Sequence, residues 1–121
     1  MPTRTTWIFS TSMDVNDDKV ELFNEVYEQE HIPELMKVPG VVAVTRYETK
    51  PLSISMGGEV KSFDGSGEPR YTAVYEVESP DVLTSDAWAR AVDTGRWPTE
   101  VRPFTSNRRL MLQKVVSSKE A

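Results

Sequence analysis

The chain has 121 residues, 38% of them hydrophobic and 27% charged, with 14 Lys and Arg against 19 Asp and Glu for a net charge of −5. That size and mixture fit one globular domain with its own core and exclude a largely disordered chain, while the negative balance argues against nucleic acid or an anionic membrane as partner. Cysteine is absent, which rules out disulfides, thiolate nucleophiles and cysteine-held metals.

No apolar run approaches the length of a membrane span, and the beginning of the sequence lacks the apolar stretch of a secretory signal, so a cytoplasmic location is expected. Residues 5–13 read as the first strand, because Trp7, Phe9 and Thr11 alternate with Ile8, Ser10 and Ser12. Asn16 is placed as the N-cap of a helix over 17–31, with Asp17 and Asp18 at its positive end and Val15 stapled onto Val20. Val20, Phe23, Tyr27 and His31 recur at spacings of three, four and four and share one face of that helix, with Val26 beside them. Pro33 disfavours helical geometry at Ile32, which predicts a stop or kink near His31 and a short restart. Pro39 and Gly40 then turn the chain into a strand over 41–48, where Arg46 and Tyr47 point to opposite faces.

Residues 50–69 are rich in Pro, Ser and Gly and form a long connection. It reads as a flexible flap folding as a hairpin with arms over 53–56 and 60–63; a tolerated insertion is the other reading. The third strand covers 70–78, with Tyr71, Ala73, Tyr75 and Val77 on one side. Ser79 and Pro80 start a second helix, striped by Leu83, Ala87, Trp88, Ala91 and Val92 and ended by Gly95. Residues 96–104 read as irregular and aromatic, residues 107–116 as the fourth strand, and 117–121 as a loosely held tail.

The order is β-α-β-β-α-β in a single domain over 1–121. This is the α+β ferredoxin-like arrangement, a four-stranded antiparallel sheet with two helices on one face. The strands carry apolar or aromatic residues on both sides, as at Trp7 and Ile8, Ala43 and Val44, Tyr75 and Val74. The bare face is therefore expected to pack against a second copy, giving a homodimer with a barrel-like interior.

Chemistry at neutral pH points to His31, the only histidine. Its ordinary pKa near 6.5 lets an imidazole move a proton in either direction, although a lone histidine on an apolar helical face is more often a packing residue. The helix dipole favours its charged form and burial opposes it. Tyr27 can donate to a carbonyl or enolate oxygen, or fill the core. Arg46 can anchor a carboxylate, or pair on the surface, and Tyr47 beside it is grouped with the ligand-contacting residues. Trp7, Trp88 and Trp97 can wall an aromatic pocket, the alternative being core or interface. Glu28, Glu30 and Glu34 flank His31 and read as a solvated face rather than a metal site. The basic residues Arg102, Arg108 and Arg109 make only a small local cluster, and the glycines at 57, 58, 65 and 67 read as turns, not a phosphate loop.

The motif Tyr-Glu-x-Glu-His-Ile-Pro-Glu-Leu-x-x-Val-Pro-Gly-Val over 27–41, with Arg46-Tyr47, Tyr71-x-Ala-x-Tyr75-Glu76 and Trp97-Pro98 followed by Asn107-Arg108-Arg109, resembles the dimeric α/β-barrel superfamily. Within it the chain looks most like the EthD-like branch. The superfamily spans muconolactone isomerases, cofactor-independent polyketide monooxygenases, haem-degrading enzymes and antibiotic-biosynthesis monooxygenases. The resemblance implies an aromatic pocket in each protomer with His31 at its edge. Two departures stand out: the 50–69 connection is long, and there is no second histidine. The resulting expectation is a lyase, isomerase or oxygenase that needs no cofactor, using His31 and Tyr27 on a small, partly aromatic or polyketide-like metabolite. The alternatives are a non-catalytic, small-ligand-binding or stress-associated barrel protein, and a haem-binding protein with His31 as axial ligand.

Overall fold

The computed structural model describes residues 5–121; residues 1–4, on which the reading of the leader partly rests, lie outside the described residues. Alternation of large and small side chains builds β1 (Trp7–Val15), and the β-branched run after Gly40 builds β2 (Val41–Glu48). β5 (Tyr71–Val77) and β6 (Thr105–Lys114) complete a sheet of order β2-β5-β1-β6 in which every pairing is antiparallel. Helical segments cover one face, which gives the expected ferredoxin-like α+β architecture. No helix among the described residues is long and apolar enough to cross a membrane.

Register sets what each face carries. Phe9 opposes Tyr75 and Leu112, and Thr11 opposes Ala73 and Leu110, so these side chains face the helices. Tyr71, Ala73, Tyr75 and Val77 are buried there together with Phe23, Val26, Leu35 and Val101. The other face carries Ile8, Val74, Tyr47 and Met111, none of which belongs to the core cluster. Ser12 and Thr72 pair there through a 2.8 Å hydroxyl contact.

The first helical segment differs from the expectation. After a 3-10 turn over Asp17–Lys19 come α1 (Val20–Val26), a π-helical turn (Tyr27–His31) and α2 (Ile32–Met36). The expected break at His31 and short restart are present, and the break takes the form of a wide turn. A proline ring clashes with the carbonyl four residues back in α register, and one wide turn before Pro33 removes that conflict. Asn16 makes no side-chain cap; its backbone carbonyl accepts from Lys19 N at 2.8 Å, and its own N–H donates to Phe104 O at 3.0 Å, which ties the turn to the segment before β6.

Gly40 turns the chain into β2 with φ +93°, and a Cβ there would collide with Val82. The 50–69 connection contains a separate two-stranded hairpin, β3 (Leu52–Met56) and β4 (Glu59–Phe63), with all its residues exposed. The expected second helix is split: Ser79 caps a 3-10 turn over Pro80–Thr84, and Ser85, in extended backbone, caps α3 (Asp86–Ala91). The segment read as irregular is a π-helical turn (Trp97–Val101) followed by a 3-10 turn (Arg102–Phe104), with Pro98 and Pro103 in their first two positions. Proline is accommodated there because the first helical N–H groups have no intrahelical acceptor.

Candidate functional site

α1 turns Phe23 toward the sheet, and the π-helical turn carries Tyr27 and His31 onto the same side. Ile32 N–H donates to Tyr27 O, five residues back, which is the bond that defines this wide turn. Tyr27 and His31 meet edge to face at 5.1 Å between ring centroids. Trp97, from the second π-helical turn, stacks on His31 at 4.3 Å and 18° and is itself only 4% exposed. Phe9 and Tyr75 of the sheet meet Trp88 of α3 at 5.8 and 5.4 Å. Ser85 aims that tryptophan, since its Oγ accepts from Trp88 N–H at 3.2 Å.

These rings enclose an open-mouthed cavity of about 180 Å³ between the helical layer and β1, β5 and β6, with Arg102 and Arg108 on its wall. Tyr27 and Tyr75 hydroxyls are 3.5 Å apart, at the outer limit of a hydrogen bond, so each keeps capacity for another partner. Burial pushes the pKa of both phenols up, that of Tyr75 well above its ordinary value. Both are protonated donors at neutral pH.

His31 is 5% exposed. Burial first, and the Arg102 charge second, lower its pKa to about 4, so the imidazole is neutral at pH 7. Desolvation outweighs the helix dipole here, a balance that the sequence left open. Its Nδ1 is buried without a hydrogen-bond partner. An orphaned N–H is costlier than an orphaned lone pair, which favours the tautomer with its proton on Nε2. The flanking carboxylates do not orient the ring. Glu30 accepts from Arg96 N at 2.9 Å and Nε at 2.6 Å, Glu28 lies 3.5 Å from Arg46, and Glu34 pairs with Lys37 at 3.0 Å. Arg96 holds the Glu30 carboxyl below the usual range.

Four of the seven residues singled out from the sequence thus meet at the cavity: Tyr27, His31, Trp88 and Trp97. Trp7, Arg46 and Tyr47 do not line it. Trp7 lies under Lys114, whose Nζ is 5.5 Å from its ring. Arg46 donates to Asn24 Oδ1 at 2.7 Å and lies 4.5 Å from the Tyr27 ring centroid, supporting that ring without reaching the cavity. Tyr47 is on the opposite sheet face and 56% exposed. Sequence reasoning missed Tyr75, Arg102 and Arg108 as lining residues. Tyr75 followed the pattern of a core strand, and the arginines had only their local clustering as a signal.

No protein-family profile matches the sequence, and no curated protein matches it. Solved structures do. A variant of MhuD, the haem degrader of Mycobacterium tuberculosis, with two manganese protoporphyrin IX molecules per active site, aligns with a TM-score of 0.64 at 15% identity, covering 95% of this chain and 99% of that one. An ethyl tert-butyl ether D (EthD) family protein from Bacillus halodurans aligns at 0.55 and 14%, covering 91% and 99%. A dimeric ferredoxin-like protein from an uncultured marine organism aligns at 0.54 and 18%, covering 98% and 100%. These likenesses establish the shared ferredoxin-like fold, with an EthD family protein among its holders.

Proposed function

We propose that this chain forms a dimeric α/β barrel that binds a small, partly aromatic metabolite in the cavity of each protomer. Trp88 and Trp97 flank the ring, while Tyr27, Tyr75 and neutral His31 donate hydrogen bonds to a ligand oxygen. The observation that carries this reading is the lining itself: aromatic walls around groups able to donate, with no Asp or Glu among them. Its volume of about 180 Å³ suits one substituted ring, since an apolar cavity of about 150 Å³ takes benzene. Pairing is supported by the apolar residues on the uncovered sheet face and by the dimeric state named for one structural neighbour.

Turnover without a cofactor is the second reading, favoured by the adjacency of Tyr27 and His31. An imidazole with a pKa of about 4 is a weak base at pH 7. In that reading His31 and Tyr27 stabilise a developing enolate oxygen as donors. Haem fits less well, because four linked pyrrole rings exceed a cavity of about 180 Å³ whose one imidazole is stacked under Trp97.

Titration with 4-hydroxyacetophenone, followed by tryptophan fluorescence, tests the binding reading. Saturable quenching is expected, weakened about tenfold in His31→Ala by the loss of one buried hydrogen bond. Linear quenching with no saturation, or undiminished affinity in the variant, would sink it. A Soret band on adding haemin that disappears in His31→Ala would favour the haem reading instead.

A further inference from the structure

The chain as a whole carries −5, yet its cavity wall holds two guanidinium groups and no carboxylate. These two arginines are tied together. Thr105 Oγ1 donates to Arg102 O at 2.7 Å and accepts from Arg108 Nη2 at 2.7 Å, so a single hydroxyl at the start of β6 ties the Arg108 guanidinium to the backbone of Arg102. Arg102 is anchored from the far side, its Nη2 donating to Val92 O at 2.7 Å and Asp93 Oδ1 at 2.9 Å. A guanidinium has five N–H donors, and anchoring through one terminal nitrogen orients the fork without saturating it.

We propose that the cavity selects the anionic form of a single-ring aromatic ligand, a phenolate or benzoate oxygen, with Arg102 and Arg108 binding its charge. This rests on the ligand-binding reading above. The polar side chains lining the cavity are Thr11 from β1, Tyr27 and His31 from the π-helical turn, Tyr75 from β5, Arg102 from the 3-10 turn and Arg108 from β6. None of them is a carboxylic acid, and the Asp93 carboxylate that Arg102 engages does not line the cavity. A planar fork and a planar aryl oxyanion are matched in shape as well as charge. Thr105 is a positioning residue in this arrangement.

The test uses 4-nitrophenol, whose phenol and phenolate forms absorb at different wavelengths, titrated against pH with and without saturating protein. Preference for the anion lowers the apparent pKa of the bound probe, and one unit corresponds to tenfold tighter binding of the phenolate. A drop of about one unit is expected for the wild type. Arg108→Gln should cut the preference to about twofold, Arg108→Lys should keep most of it, and Thr105→Val should reduce it while leaving saturable binding. Saturable binding with an unchanged probe pKa would overturn the charge selection and leave the ligand-binding reading standing. No saturable binding of either form would overturn both. An undiminished shift in Arg108→Gln and Arg102→Gln would overturn the assignment to these arginines.

Discussion

A histidine in water takes up a proton near pH 6.5, whereas His31 in the folded chain does so at about 4. Between those values the unfolded chain binds a proton that the folded chain refuses. The contribution of His31 to stability is therefore full above about 6.5 and is lost as pH falls toward 4. The gap is worth about 3 kcal/mol. Urea midpoints followed from about pH 7 down to about pH 4 should fall for the wild type and fall less for His31→Gln, the difference approaching that figure. Glu30 and Glu48, both held low by basic partners, weaken the fold in acid too, so the comparison with the variant is what isolates His31. The spacing of the apolar stripe put Tyr27 and His31 on one face, and that much was legible from sequence. The charge state of His31 was not, because the residue that buries it, Trp97, arrives from another element far along the chain.

The elements show which local signals carry structural information. Strands were legible nearly to their ends, since alternation is imposed residue by residue; β2 begins with its β-branched run at Val41 and ends at Glu48, as its sequence predicts. The π-helical turn was not, because a spacing of four between Tyr27 and His31 suits both an α and a wider turn. The break at Ser85 was hidden for a related reason: the stripe from Leu83 through Ala87 runs across it unbroken. The extended backbone at Ser85 and the hydrogen bond from Trp88 N–H to Ser85 Oγ mark the new start. Ser85→Ala should cost about 1 kcal/mol in urea denaturation. It should also loosen Trp88, visible as a changed tryptophan emission in the folded state. An unchanged midpoint would mean that packing against Phe9 and Tyr75, not the cap, holds α3.

At the scale of the molecule, the order of strands and helices made the sheet and its covered face predictable, while the cavity depended on where three strands, both π-helical turns and the segments around them converge. The proposed pairing uses the uncovered face, where Met111 is 50% exposed. Met111→Asp would place a charge in that interface and should shift sedimentation from dimer to monomer with little loss of monomer secondary structure; an unshifted dimer would place the contact elsewhere. The two arginines also sit within a molecule whose total charge opposes the ligand they hold. Screening confines both their attraction and the repulsion from the acidic surface to about 10 Å at 0.1 M salt, and the repulsion energy that a solute meets outside the cavity grows with its own negative charge. A monoanion crosses that barrier at modest kinetic expense, and a nucleotide or other polyanion meets it several times over. The molecule thus sorts its visitors by valence during approach, before the shape of the cavity has any say.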